Sequence, residues 1–265
     1  MRYLLLLTLF LSGALQGGNL LVTSGHTPYV SHLQGIAADE EHIYWSFTRV
    51  LVKSDYTGKV KTETPLIFHS GDICIAEGDI YVATDHRPKE KHPTQSAVYR
   101  YGKDLKLKKV YPIYPAEIKI EGITFYKGKF YIGVGGNQAP HRKNDILVCD
   151  REMKLLKRIS VDIGRDTKFG VQNLFVVNDR IGGGFYTTGD GVLLDPETLE
   201  VTGSFPLKPT EGIAQLPPGL AGHDSTWLLA HSLGKRGSYN GRIRIYKIVD
   251  GKRRPAPIAT LKLPK

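Results

Sequence analysis

The fold class is decided by residues 34–46, Gln-Gly-Ile-Ala-Ala-Asp-Glu-Glu-His-Ile-Tyr-Trp-Ser, and by residues 51–60, Leu-Val-Lys-Ser-Asp-Tyr-Thr-Gly-Lys-Val. Apolar or β-branched runs alternate here with short polar turns. Asp and Gly tolerate the tight and positive-φ positions of hairpin turns, so each stretch is typical of a β-hairpin. Together they predict four short antiparallel strands.

The same unit recurs along the chain. The apolar residue that anchors the first strand of each unit is Ile36, Ile73, Ile123, Leu174 and Ile213, at spacings of 37, 50, 51 and 39 residues. Two hairpins in a period of this size are typical of a β-propeller blade. We therefore predict an all-β, five-bladed β-propeller with four-stranded antiparallel blades and little helix, which occupies residues 19–265 as one domain. A six-bladed propeller is the alternative if residues 20–22 belong to a separate blade rather than to an extra strand that helps closure.

Residues 1–14 predict a secretory signal peptide. Arg2 precedes a leucine-rich core and the small residues Ser12-Gly13-Ala14, with cleavage expected near 14–18. The apolar run is too short to span a bilayer. We therefore expect a secreted or periplasmic protein without stable membrane insertion.

Composition narrows the class of partner. The chain has 36 Lys+Arg against 26 Asp+Glu, a formal net charge of +10. The basic residues are spread along the chain without a nucleic-acid motif, so no nucleic-acid partner is expected. The two cysteines, Cys74 and Cys149, exclude a disulfide scaffold, and their apolar strand contexts favour inert buried thiols over a bridge.

A propeller would gather the residues that precede the innermost strands around one end of its channel. On this basis the candidate catalytic residues are His32, His69, Asp72 and Glu121. A histidine beside a carboxylate can take up and return a proton near neutral pH. A divalent metal is an open possibility, and its ligands would be His32, His69 and Gln172.

The long loops around the same end carry basic residues, which favours a small anionic ligand. The candidate substrate-binding residues are Gln34, Trp45, Arg87, His141, Arg142, Gln172, Glu211, His231 and Arg236. An alternative stays open for the loop residues, because these loops can simply be solvated without a joint role in binding. Trp45 is favoured as a core residue packed between blades, because it and Trp227 occupy equivalent strand positions.

Residues 34–60 resemble the blades of NHL-type propellers and of the streptogramin (virginiamycin B) lyase-like group. This resemblance implies blade construction. The fourth unit is glycine-rich and His42 stands where the family has a turn glycine, so the lyase residues do not transfer individually.

Residues 34–36 and 121–123 also resemble the "QGL" and "EGL" motifs of plant-type glutaminyl cyclases, which are secreted five-bladed propellers. In that family the acidic motif lies in the second blade, where this chain has Asp72.

Three functions follow as hypotheses. The first is an exported lyase or hydrolase that acts on an anionic carbohydrate. The second is a non-catalytic propeller that binds a polysaccharide or a protein. The third, implied by the second resemblance, is an acyltransferase that cyclises an amino-terminal glutamine.

Overall fold

The computed structural model describes residues 20–22, 28–67, 69–85, 96–115, 118–136, 138–186, 189–221 and 226–256. The predicted signal peptide and Arg87 lie outside these residues. Almost every described element is a β-strand, as predicted, and none of the described helices is long and apolar enough to cross a membrane.

The first eight strands after the N-terminal one form two antiparallel groups. The described chain begins with β1 (Leu20–Val22). Group 1 consists of β2 (Leu33–Ala38), β3 (Ile43–Phe47), β4 (Val50–Ser54) and β5 (Val60–Pro65). Group 2 repeats the order with β6 (His69–Ala76), β7 (Asp79–Asp85), β8 (Ala97–Tyr101) and β9 (Leu107–Pro112).

Groups 3 and 4 share one long strand. Group 3 consists of β10 (Ile120–Tyr126), β11 (Lys129–Val134), β12 (His141–Cys149) and the first part of β13 (Leu155–Val177). Strand β13 pairs with β12 as far as Thr167 and with the next strand from Lys168. Its second part opens group 4, which continues with β14 (Arg180–Tyr186), β15 (Gly191–Leu194) and β16 (Val201–Phe205).

Group 5 combines both ends of the chain. It contains β17 (Ile213–Gln215), the short helix α1 (Pro218–Ala221), β18 (Thr226–Lys235), β19 (Ser238–Val249) and β20 (Lys252–Pro255). Strand β1 pairs antiparallel with β19, with Leu21 opposite Ile243. The N-terminal strand therefore adds to the sheet of group 5.

Neighbouring groups pack face to face. The first strands contact one another in the order β2, β6, β10, β13 and β17, and β17 contacts β2 again. A separate apolar cluster fills each of the five junctions between groups, with Trp45, Tyr99, Phe130, Leu174 and Trp227 as members of one each. Side chains alternate across a strand, so Tyr44 packs toward group 2 while Trp45 packs toward group 5. Each group thus buries both faces.

The first strands meet closely at the centre. The position before each anchor residue is Gly35, Asp72, Gly122, Asn173 and Gly212. A Cβ at Gly35 would lie 2.5 Å from Oδ1 of Asp72, and one at Gly212, where φ is +135°, would lie 2.8 Å from the backbone nitrogen of Ile36. The glycines therefore allow the first strands to approach closely, and the side chains of Asp72 and Asn173 are buried at the same level.

Candidate active site

One end of the central region carries a polar mouth. We define the mouth by residues that precede or lie near the start of the first strands, and by residues that end the second strands or lie in their second half. They are Gln34, His69, Glu121, Gln172 and Glu211 from the first set, and Asp85, Tyr186 and His231 from the second. These residues come from all five groups, and their separations along the chain are tens of residues.

His69 is the centre of the most compact part of the mouth. Its Nε2 lies 3.1 Å from the amide nitrogen of Gln34, and its Nδ1 lies 3.6 Å from Oε2 of Glu121. Asp85 is its cross-strand partner in β7. Glu121 and Asp85 are both buried, whereas His69 is partly exposed, so substrate can reach the imidazole more easily than the carboxylates.

The hydrogen bond from Gln34 assigns a tautomer to His69. An amide nitrogen only donates, so Nε2 of the imidazole accepts, and the neutral ring carries its proton on Nδ1. That proton points toward Glu121, at a distance longer than a direct hydrogen bond. The arrangement places a carboxylate oxygen of Glu121 beside the imidazole, where the two groups can exchange a proton.

The opposite side of the mouth contains a tyrosine, a carboxylate and a second histidine. Oε2 of Glu211 accepts a hydrogen bond of 2.6 Å from the backbone nitrogen of Ser232. Burial raises the pKa of Tyr186, and the charges of Glu211 and Glu121 act in the same direction, which places this phenol near both carboxylates. Burial also lowers the pKa of His231, so this imidazole is neutral at neutral pH.

The residues that could hold a metal differ from those predicted. One ligand atom each from His69, Asp85 and Glu121 lie within 4.8 Å of one another. Bonds of about 2.0–2.2 Å to zinc need such atoms slightly closer, so a small inward movement would bring one nitrogen and two oxygens to an ion. Of the predicted set of His32, His69 and Gln172, only His69 belongs to this cluster, and a metal held by all three stays a prediction.

His32 and Gln172 are engaged elsewhere. The His32 ring lies edge-on to Tyr239, with ring centres 6.2 Å apart, and its backbone oxygen accepts from Thr48. The side-chain nitrogen of Gln172 donates to the backbone oxygen of Phe169 at 2.8 Å. Both residues precede or begin first strands, as expected.

Asp72 was predicted as a catalytic residue, and its position does not support that role. It is 2% exposed. Its Oδ2 accepts from the backbone nitrogens of Leu174 and Ile123, at 3.0 and 3.4 Å. Burial raises its pKa to about 8 despite these hydrogen bonds. Asp72 therefore connects the first strands of groups 2, 3 and 4 at the centre, below the mouth.

Trp45 was predicted as a candidate substrate-binding residue, with core packing as the favoured alternative. The structure places it fully inside the cluster between groups 1 and 5, where its indole nitrogen donates to Oγ of Ser54 at 2.8 Å. No face of the ring is available for stacking. The core interpretation is correct, and Trp227 is likewise buried between groups 4 and 5.

The basic loop residues do not converge as predicted. Arg142 is exposed and forms an ion pair with Asp162, with Nε 2.8 Å from Oδ1. His141 lies 3.1 Å from the backbone oxygen of Ala139, and Arg236 is exposed in the turn between β18 and β19. These side chains are solvated or locally paired.

Sequence reasoning missed Asp85 and Tyr186. Each ends the second strand of its group and faces the mouth because that strand runs antiparallel to the first. The available signal was a polar residue directly after an apolar strand, as in Tyr81-Val82-Ala83-Thr84-Asp85.

Cys74 and Cys149 are free and buried, as predicted, and burial raises the pKa of the Cys149 thiol to about 12.

Comparison with known proteins supports the fold. No family model and no curated protein sequence matches the chain. In structure the chain is similar to the glutaminyl cyclase of Myxococcus xanthus, with a TM-score of 0.57 and 14% identity over 89% of this chain and all of that one. It is also similar to a chain of a nidogen/laminin complex, with a TM-score of 0.52 and 10% identity over 88% of this chain and 83% of that one. The fold is all-β and propeller-like.

Proposed function

We propose that the mouth is the active site of an enzyme that cyclises an amino-terminal glutamine and releases ammonia. The observation that carries the proposal is the buried Glu121 carboxylate beside the His69 imidazole, in contact range of Asp85. The likeness to the Myxococcus xanthus glutaminyl cyclase, which extends over that whole chain, supports this choice among acid–base reactions.

The charge of the mouth favours a substrate with a free amine. Asp85, Glu121 and Glu211 supply three carboxylates, whereas the neutral form of His231 supplies no positive charge. The part of the mouth that these carboxylates surround attracts an ammonium group. The anionic carbohydrate expected from the loop charges stays a prediction, and this arrangement is the reason why we favour an amine-bearing peptide.

The reaction requires one proton acceptor and one proton donor. The α-amine nitrogen attacks the side-chain amide carbon, so a C–N bond forms and closes a five-membered ring. Glu121 takes the proton that the amine loses and returns it to the departing amide nitrogen, which leaves as ammonia when its bond to carbon breaks. His69 lies beside Glu121 and positions its carboxylate, and the Tyr186 phenol can donate a hydrogen bond to the developing oxyanion.

The architecture and location of the enzyme complete the proposal. We propose that groups 1–5 close as a five-bladed propeller by packing β17 against β2, because β1 belongs to the sheet of β19 and forms no separate blade. Residues 1–14 would direct export to the periplasm or outside the cell.

The test is ammonia release from the dipeptide Gln-Ala. The Glu121→Gln variant should lose about 10²- to 10⁴-fold in kcat because it cannot accept the proton. Glu152→Gln, an exposed turn residue, is the matched control and should keep full activity. Absence of ammonia release by the wild-type protein would reject the cyclase, and tight peptide binding without turnover would favour the non-catalytic alternative.

A metal at the same residues would act as a Lewis acid, and it is tested separately. Acid–base chemistry by Glu121 alone predicts that ammonia release survives prolonged treatment with EDTA. Activity that EDTA removes and zinc restores would add a metal held by His69, Asp85 and Glu121.

A further inference from the structure

Two arginines, Arg242 and Arg244, lie side by side on β19, the third strand of group 5. Along β19 the side chains alternate, so Ile243 and Ile245 pack toward group 1 while Arg242 and Arg244 face group 4. Both arginines are only partly exposed. Successive residues on one strand face lie close enough to hold a common ligand between their guanidinium groups.

Two other arginines of the described chain form ion pairs with aspartates. Arg100 lies 2.7 Å from Asp79, and Arg158 lies 2.6 Å from Asp145. In contrast, none of the carboxylates in the described ranges forms an ion pair with Arg242 or Arg244, and the buried Nε of Arg242 has no hydrogen-bond partner there. A buried N–H without a hydrogen-bond partner is costly, so the position of Arg242 favours an acceptor that a ligand brings.

The arginine pair borders the mouth. His231 is the cross-strand partner of Arg242, and both side chains face group 4. The next residue, Ser232, donates its backbone N–H to Glu211, which is one of the mouth carboxylates. A peptide with its amine at the acidic centre would therefore extend toward positive charge.

We propose that Arg242 and Arg244, together with His231, form a subsite for a peptide carboxylate next to the mouth. This inference rests on the proposed function for the orientation of the peptide, and it names the substrate class as short acidic or free-acid peptides. The planar guanidinium groups pair with the two carboxylate oxygens, and the imidazole adds one N–H. Nothing in the reaction step itself depends on this subsite.

The experiment measures binding by calorimetry with two pairs of probes. One pair is Gln-Ala as free acid and as C-terminal amide, tested on the Glu121→Gln variant so that no turnover occurs. The other pair is N-acetyl-Ala-Ala as free acid and as amide, which carries neither an amine nor a glutamine. In each pair the free acid should bind about 10- to 100-fold more tightly. Arg242→Gln and Arg244→Gln should each reduce this preference, whereas Arg253→Gln, an exposed arginine of β20, should not.

The outcomes separate the subsite from the cyclase. A preference for the N-acetyl free acid in a protein that releases no ammonia supports the subsite and rejects only the cyclase. Equal binding of acid and amide in both pairs overturns the subsite, and this comparison needs no arginine variant to fold. A preference that survives in Arg242→Gln and Arg244→Gln also overturns it. If inorganic phosphate binds more tightly than either free acid, the carboxylate assignment is overturned in favour of phosphate.

Discussion

Replacing Asp72 with Asn should remove a large part of the pH dependence of folding stability. In the folded protein burial raises the pKa of Asp72 to about 8, from an ordinary value of 3.8. The folded state therefore favours the protonated side chain. Its contribution to stability is complete below about pH 4, decreases as the pH rises, and is lost once the pH passes 8.

The size of this effect follows from the shift. One proton taken up by folding changes the free energy of unfolding by about 1.4 kcal/mol per pH unit. Between pH 3.8 and about pH 8 the change in the free energy of unfolding adds up to roughly 6 kcal/mol. We apply the full shift because the side chain is almost completely excluded from water. Asn cannot ionise, so the Asp72→Asn variant lacks this dependence of stability on pH. At acid pH the variant should lose about 1–3 kcal/mol of stability, because the amide hydrogen-bonds imperfectly in the place of the carboxyl group.

The assay is urea denaturation from pH 4 to 9, with the free energy of unfolding measured for both proteins. The difference between wild type and Asp72→Asn cancels the other titrating groups. Asp190→Asn, an exposed aspartate in the β14–β15 turn, is the control and should follow the wild-type curve. A constant difference at all pH values would refute the reasoning, since it would mean that the amide hydrogen bonds from Leu174 and Ile123 keep Asp72 ionised.

Other substitutions test the packing. Gly35→Ala should destabilise the protein by about 2 kcal/mol or more, measured by urea denaturation, because the added Cβ would overlap Asp72; an unchanged midpoint would contradict the close approach of β2 and β6. Trp45→Phe should cost about 2–4 kcal/mol and leave peptide binding intact, whereas lost binding with normal stability would return Trp45 to the substrate site. Cys74 and Cys149 should resist a thiol reagent until the protein unfolds, so rapid labelling of the native protein would contradict their burial.

Many residues of the candidate site were predictable from the sequence, but their grouping in space was not. His69, Glu121 and Gln34 were identified because each begins a first strand, and the structure brings these three together. Asp72 was assigned to catalysis from the same signal. One position along the strand separates the mouth from the packed centre, and hydrophobic patterning does not resolve such a difference.

The sequence by itself determined the local structure, because strand alternation and turn chemistry depend on residues that are neighbours in the chain. It therefore predicted the hairpins, the low helix content and the preferred core position of Trp45. Only the tertiary structure decided that β13 serves two groups, that Asp85 joins His69, and that Arg242 and Arg244 face group 4 beside His231. These outcomes depend on how separate groups pack around a common centre, and no local pattern encodes the distance between side chains that the chain brings together from tens of residues apart.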